Sequence, residues 1–462
     1  MPLNGRAYIY ALFTINVISA SFGNLSQTAV NVMMTSITAE MGVGVDVGQW
    51  LTTAYMLVIG LTVPITTFFD QKLSDRQYVF LALVFFLVGS LLDAIAPSFA
   101  VIFIGRMCQA ISTGILMPNT QNIVMRHFKP GSRGTAMGIS GIAMGFAPNI
   151  GPTIGSWFMD SIGWRWFFIL LMLLTVASAV CLLALIPKST PTNQQAHLNP
   201  VSFYLSAVGF GSLLLGFSNA SSYGLGHPLC WAPVAIGAAF LAVYVRYEKR
   251  TDNPLIDLGI FSSDRFEAGF AMQCLHWGSF MGITLVIPLF IENCQGGPAS
   301  AAGTVLLPAA VVALVCNPLG GVLADRFGHV KVMAVSIAVL AAGSLMALGF
   351  DETTPIWAMA LCQSIRGAGI STTISPLVTW SMQGLPGPRI ASASSFSTLV
   401  RQACASGATA LMVFCAERLP QMGFSVLGSF QAAFGFSAAL ACIEAVLAFT
   451  LAFKVERRHQ DR

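Results

Sequence analysis

Charge is what this sequence has least of. Only 9% of its 462 residues are Asp, Glu, Lys or Arg, where a soluble globular domain carries about a quarter. An ordinary water-soluble fold is excluded on that ground. The net charge of +4 is too small to argue for a nucleic-acid partner. The ten Cys are scattered, mostly within apolar runs, and no two stand in a CxxC spacing. They read as small buried hydrophobes, not as a disulfide framework or a metal site. The six His show no metal-ligand spacing, so no metal is expected. No Walker-type phosphate loop occurs, which argues against ATP-driven work by this chain. No catalytic constellation supports an enzyme, and no cofactor is expected. A cleavable signal peptide is also missing: the first apolar run is long and dotted with polar residues, so it reads as a retained span.

What the sequence has in abundance is apolar length. Hydrophobic residues make up 55% of the chain, and the mean hydropathy is +0.74. Runs of roughly 20 apolar residues suffice for a helix across a ~30 Å hydrocarbon core. Backbone groups in lipid must pair internally, so helices are the default for such runs. Fourteen spans are expected, near 8–37, 48–69, 77–97, 99–124, 134–158, 165–187, 201–219, 228–246, 266–291, 299–323, 331–350, 355–380, 390–416 and 428–453. An even number puts both termini on one side. Loops on that side hold 18 of the 23 Lys and Arg, Lys188 and Arg462 included. The opposite loops hold Arg165 and Arg418, and Arg106, Arg366 and Arg401 fall within spans. The positive-inside rule then makes the terminal side cytoplasmic.

The chain also repeats. The loop "TTFFDQKLSDRQYVF" (66–80) follows span 2, and a similar loop, "GGVLADRFGHVKVM" (320–333), follows span 10. The expected fold is an all-α polytopic membrane protein. A six-helix bundle covers 1–188, an inserted helix pair 189–250, and a second six-helix bundle 251–462. Internal repeats around a midplane site are a common build of secondary transporters.

The second loop carries Gly321, Leu323, Asp325, Arg326, Gly328 and Lys331, and it resembles the loop signature of the major facilitator superfamily. Its glycines allow a tight turn and close helix contact. Its charges suit a network that closes one side in one state and opens in another. "GRMCQAISTGILMP" (105–118) resembles the span-4 segment of that superfamily's drug/proton antiporters through Arg106 and Gln109, with Ala110 where Gly is usual. "GISGIAMGFAPNIGPTIGS" (138–156) resembles their span-5 antiporter motif through Gly138, Gly151, Pro152 and Gly155. "WRWFF" (164–168), "NPLIDLGIF" (253–261) and "LVRQ" (399–402) are similar to segments of the fourteen-span branch. The likeness runs along nearly the whole chain.

Span 1 departs from the pattern. The branch typically carries an acid two residues before a Thr-Ile-Val-Asn run, and "LSQTAVNVMMT" (25–35) has Ser26 in its place. The first loop is degenerate too, with Thr67 and Ser74 at the Gly positions and Asp70 displaced by one. The resemblance implies that spans 1, 4, 9 and 12 line the cavity. Asn24, Gln27, Thr28, Asn31 and Thr35 follow helical spacing and are expected on one face, either as a cavity wall or as interhelical packing. Arg106, within span 4, needs carbonyls, a carboxylate or water, and with Gln109 it is a candidate cavity residue. In span 9, Gln273, His276, Trp277 and Phe280 are expected to share a face. Trp277 and Phe280 suit stacking on a flat or cationic ligand.

With no acid in span 1, the proton-carrying group is sought among His276, Glu444 and Asp93. His changes charge near neutral pH, Glu444 is the deepest acid, and Asp93 lies near the outer end of span 3. Asp325, Arg326, Gly328, Gly151 and Pro152 are the expected gate residues. The function implied is export of drugs or metabolites by alternating access, coupled to proton entry. The expected partners are a small-molecule substrate, protons and the bilayer, with no nucleic acid, for a protein acting as a monomer. The missing acid leaves open an uncoupled facilitator of a neutral solute. A non-transporting membrane sensor is a further alternative.

Overall fold

The structure, a computed structural model, describes residues 6–187, 197–223, 227–297 and 299–460. Lys188 and Arg462 lie outside the described residues. Lipid rewards long helices here, and the described residues form fourteen long helical segments. They are α1 (Arg6–Met41), α2 (Trp50–Lys72), α3 (Asp75–Ile95), α4 (Phe99–His127), α5 (133–161), α6 (Trp164–Leu185) and α7 (Pro200–Tyr223). The second set is α8 (Pro228–Glu248), α9 (Asp264–Asn293), α10 (Ala299–Phe327), α11 (His329–Gly349), α12 (Ile356–Met382), α13 (Gly387–Arg418) and α14 (Val426–His459). Twelve of them are long and apolar enough to cross a membrane. The other two are broken or polar: a π turn at Ile142–Phe146 interrupts α5, and α12 carries Gln363, Arg366 and a run of Ser and Thr.

Capping explains the tight turn between α2 and α3. Ser74 and Gln77 form a reciprocal capping box there, which satisfies two otherwise orphan N–H groups. Between α10 and α11, Gly328 takes φ +94°, a conformation Gly adopts without strain.

Packing divides the helices. In the first group α3 lies against α4 and α6, while α1 packs on α4, α5 and α6. In the second, α9 packs on α12, α13 and α14, and α12 also lies against α10 and α11. Helices α7 and α8 pack on each other, and α7 touches both α2 and α13. It therefore bridges the two groups. The groups also meet directly where α5 packs on α10 and α12.

Candidate functional site

Two seams join the bundles at the end where α1 begins and α14 ends. At the first, Asp325 of α10 reaches the start of α5. Its carboxylate accepts from the Gly134 N–H (2.9 Å), the Thr135 N–H (2.7 Å) and the Thr135 hydroxyl (2.7 Å). A helix N-terminus exposes unpaired N–H groups and partial positive charge, which an anion satisfies. Ser375 of α12 donates to the Gly134 carbonyl (2.6 Å). The approach needs glycine on both sides: a Cβ on Gly321 would fall on the Gly134 carbonyl, and one on Gly134 would strike Asp325. This seam is thus joined by a helix cap, where a network of charges was expected. Arg326 is exposed, 5.3 Å from the Phe327 ring, and Gly328 supplies the turn below.

The second seam, between α2 and α13, is built differently. Asp70 turns back into its own bundle, pairing with Arg126 and Asn122. Thr66 bonds Ser395 (2.8 Å), and Thr67 donates to the Leu255 carbonyl (2.6 Å). Leu255 belongs to the segment between α8 and α9 that resembled a family connector. That segment also reaches α13: Arg389 donates to Asp257 (2.8 Å), and the Asp257 N–H donates to Ser392 (3.1 Å). Ile256 is fully buried among Tyr55, Ile59, Val63 and Leu399. The connector is therefore a latch between the bundles.

Within the first bundle a buried polar cluster surrounds Arg106. Its Nη1 donates to Ser26 (2.6 Å) and to Gln109 Oε1 (2.7 Å), and Gln109 Nε2 donates to Ser90 (3.0 Å). The guanidinium lies 4.1 Å from the Tyr55 ring centroid, and Tyr55 bonds Thr113 (2.7 Å) and the Gly23 carbonyl (3.0 Å). Ser26 stands where the resemblance expected an acid, and it is the α1 residue that touches Arg106. Asp93 on α3 packs so closely on Gly105 that a Cβ there would strike its carboxylate. Both Asp93 oxygens lack a hydrogen-bond partner among the described residues, as do Arg106 Nε and Nη2.

The expected stripe on α1 divides by depth. Asn24 is buried and donates to the Ala143 carbonyl of α5 (2.9 Å). Thr28 bonds its own helix and packs against Gly151, where a Cβ would strike it. Gln27 is half-buried, and Asn31 and Thr35 are exposed, with Asn31 accepting from Thr52 (2.9 Å). One face thus serves packing in its inner half and opens in its outer half. The span-5 motif has a structural reading to match. Gly151 and Gly155 seat α5 on α1, and Gly138 and Gly141 seat it on Asn317 of α10. Pro152 sits inside the helix and removes an N–H from its ladder.

The second bundle repeats the cluster in reverse order. Arg366 donates to Gln363 (3.1 Å), to Ser344 of α11 (3.0 Å), and to the Ser279 carbonyl (3.0 Å) and Ser437 (3.1 Å). Arg366 and Gln363 also line a narrow cleft of ≈ 40 Å³ with Phe280, Ile283, Leu306 and Ile370. Gly145 of α5 lies on its far side, so the cleft opens between the bundles.

Gln273, His276, Trp277 and Phe280 share a face of α9 by spacing but meet different neighbours. They fan out to three helices, and Phe280 reaches the cleft. Gln273 donates to Ser381 of α12 (3.2 Å). Trp277 is 4% exposed and carries Arg401 of α13 at 4.7 Å from its ring centroid, leaving that face closed to a ligand. His276 Nδ1 lies 3.0 Å from Glu444 Oε1 of α14, and both side chains are buried. Gln109, Arg106, Asn24, Gln273, His276 and Trp277 are all held by protein partners in this arrangement and do not line the cleft. Gln363, Ser344 and Ser90 were missed in the sequence. The available signal was repetition: Gln363 and Arg366 restate the Arg106–Gln109 spacing in reverse.

At the opposite end, the "WRWFF" segment ties α6 to α1 and α3. Trp164 donates to Glu40 (2.7 Å), Arg165 pairs with Glu40, and Arg165 also donates to the Ala96 carbonyl (3.0 Å).

The described residues form two helical bundles, joined at one end, with a cleft between them. The model of the Major Facilitator Superfamily matches residues 17–410, and the chain belongs to that superfamily. It is a multi-pass membrane transporter and not an enzyme. It is 33% identical to the uncharacterised MFS-type transporter YhcA of Bacillus subtilis, over 84% of this chain and 73% of that protein. It is 27% identical to the lincomycin resistance protein LmrB of Listeria monocytogenes, over 91% of this chain and 92% of that one. The crystal structure of the human organic anion transporter MFSD10 (TETRAN) shares the fold with a TM-score of 0.64 at 15% identity, covering 96% of this chain and 99% of that one.

Proposed function

We propose that the chain exports small amphipathic molecules across the cytoplasmic membrane by alternating access, driven by proton entry. All fourteen helical segments cross the bilayer, and both termini lie in the cytoplasm. Two six-helix bundles (1–188 and 251–462) rock about the cleft, with the inserted pair (189–250) alongside, and the protein acts as a monomer. The observation that carries this reading is the placement of the seams. Asp325 and the Thr66–Thr67–Leu255 contacts join the bundles at the terminal end, and the cleft lies beyond them. That is the arrangement of a carrier closed toward the cytoplasm.

The cleft also speaks to substrate. Its lining is mainly apolar, and Gln363 Nε2 has no partner among the described residues. A neutral solute with an apolar body and a hydrogen-bond acceptor fits that lining. Drug-resistance relatives such as LmrB make lincomycin the first probe. The test is lincomycin transport by purified protein in liposomes, with and without an imposed pH gradient. Faster transport with the gradient, abolished by a protonophore, is expected. Transport indifferent to the gradient would leave an uncoupled facilitator in place of the antiporter.

A further inference from the structure

We propose that His276 and Glu444 together form the proton-binding site, and that Arg366 relays its state to the cleft. This rests on the reading of the chain as a proton-coupled exporter and names the group that does the coupling. His276 of α9 and Glu444 of α14 meet at 3.0 Å, with side chains 1% and 0% exposed. His276 Nε2 and Glu444 Oε2 have no partner among the described residues. The site therefore has capacity beyond the one bond it makes. A π turn, Ala448–Ala452, follows Glu444 by one helical turn, and such turns recur at functional sites.

The pair is wired to the cleft. One turn along α9 from His276 stands Ser279, and two turns along α14 from Glu444 stands Ser437. Ser437 donates to the Ser279 carbonyl (2.9 Å), and Arg366 Nη2 donates to both residues. The same guanidinium lines the cleft and holds Gln363. A shift of α9 against α14 must therefore move Arg366.

The charged and titratable neighbours are few. Helix α12 offers Arg366, and α13 offers Arg401, on Trp277, and Cys404. Helix α14 adds Cys442 and α9 itself Cys274. Helix α11 presents apolar Leu340 and Ala341 to this layer, and its His329 and Lys331 lie at the cytoplasmic end, as do Asp325 and Arg326 of α10. With one proton bound, the His–Glu couple is neutral overall whichever atom carries it, and it can stay buried. Loss of that proton leaves a lone buried carboxylate, a costly state. The helices then favour an arrangement that brings a guanidinium or water to it. Proton occupancy and bundle position are linked in this way.

The test reads the gate without any substrate. Amide hydrogen exchange at Gly134 and Thr135 is followed in lipid nanodiscs from about pH 5.5 to 8, corrected for intrinsic rates. Wild-type protection should change by about tenfold across that range. Glu444→Gln and His276→Asn should each remove the change, with folding checked by gel filtration and circular dichroism. Folded variants that keep the full pH response would overturn the assignment while leaving proton coupling intact. A wild-type gate with no pH response, together with gradient-indifferent lincomycin transport, would overturn the coupling reading and this site with it.

Discussion

Replacing Asp325 with Ala should loosen the α5–α10 seam without unfolding either bundle. The carboxylate makes three bonds, all across the seam to Gly134 and Thr135. Loss of a side-chain cap costs about 0.5–2 kcal/mol, and loss of an anion at a helix N-terminus costs about 0.3–1 kcal/mol at an exposed site and up to ~2 when partly buried. Asp325 is partly buried, so a combined loss of about 2–3 kcal/mol is expected, or roughly a 30- to 150-fold shift toward the open gate. The bonds exist only while the bundles are closed on this side. Their loss therefore falls on the gate equilibrium, and packing within each bundle is untouched. The assay is hydrogen exchange at residues 133–137, where two of the three donors are the backbone amides being measured. Exchange should accelerate by the same factor while peptides within α3 and α14 keep wild-type rates. Wild-type exchange at 133–137 in a folded Asp325→Ala protein would refute the cap as the element that holds this seam.

The second seam and the buried cluster give two further tests. Thr67→Val removes a buried bond to the Leu255 carbonyl and should speed exchange at 255–261 by about fivefold, corresponding to ~1 kcal/mol. Asp257→Ala should do less, because the Asp257–Arg389 pair is more than a third exposed and such pairs contribute little. Ser26→Asp places a carboxylate against Arg106 and should melt no lower than wild type. Ser26→Val leaves the guanidinium without its α1 partner and should lose about 1.5–3 kcal/mol. Thermal denaturation in detergent decides between these, and a Ser26→Asp protein less stable than Ser26→Val would show that Arg106 is already fully neutralised.

The fold was legible because the bilayer admits few solutions. An apolar run of membrane length with its backbone satisfied is a helix, and the helical segments lie close to the spans read from hydropathy. The site was less legible, for a physical reason. Whether a polar residue lines a cleft or bonds a neighbour depends on helix rotation and depth, and periodicity encodes neither. Asn24 and Asn31 share a face of α1, yet one packs on α5 and the other is exposed. His276 and Glu444 are 168 residues apart, and each alone gives no sign of the other. Asp325 was expected among ion pairs and is instead a helix cap across the α5–α10 seam. An acid among basic residues suggests ion pairs, and only the proximity of α5 reveals that the acid caps a helix.

The two seams are unequal, and the inequality bears on how the bundles can move. The α5–α10 seam joins a carboxylate over a helix end to close glycine-seated packing on Asn317. Such a cap separates cleanly, since water can satisfy the same N–H groups once the helices part. The α2–α13 seam carries the 255–257 latch and the buried Ile256. It is further spanned by α7, which packs on both helices: Thr53 bonds Ser218, and Phe217 lies against Gly407. Opening there requires apolar surface to be uncovered and a connector to slide. Opening at α5–α10 requires the cap and the Ser375–Gly134 bond to release and the glycine-seated backbones to part. If the bundles rock as proposed, the α7 bridge favours a pivot near α2 and α13, with α5 parting from α10. That is the side on which Gly145 faces the cleft and Gln363 holds an unused donor.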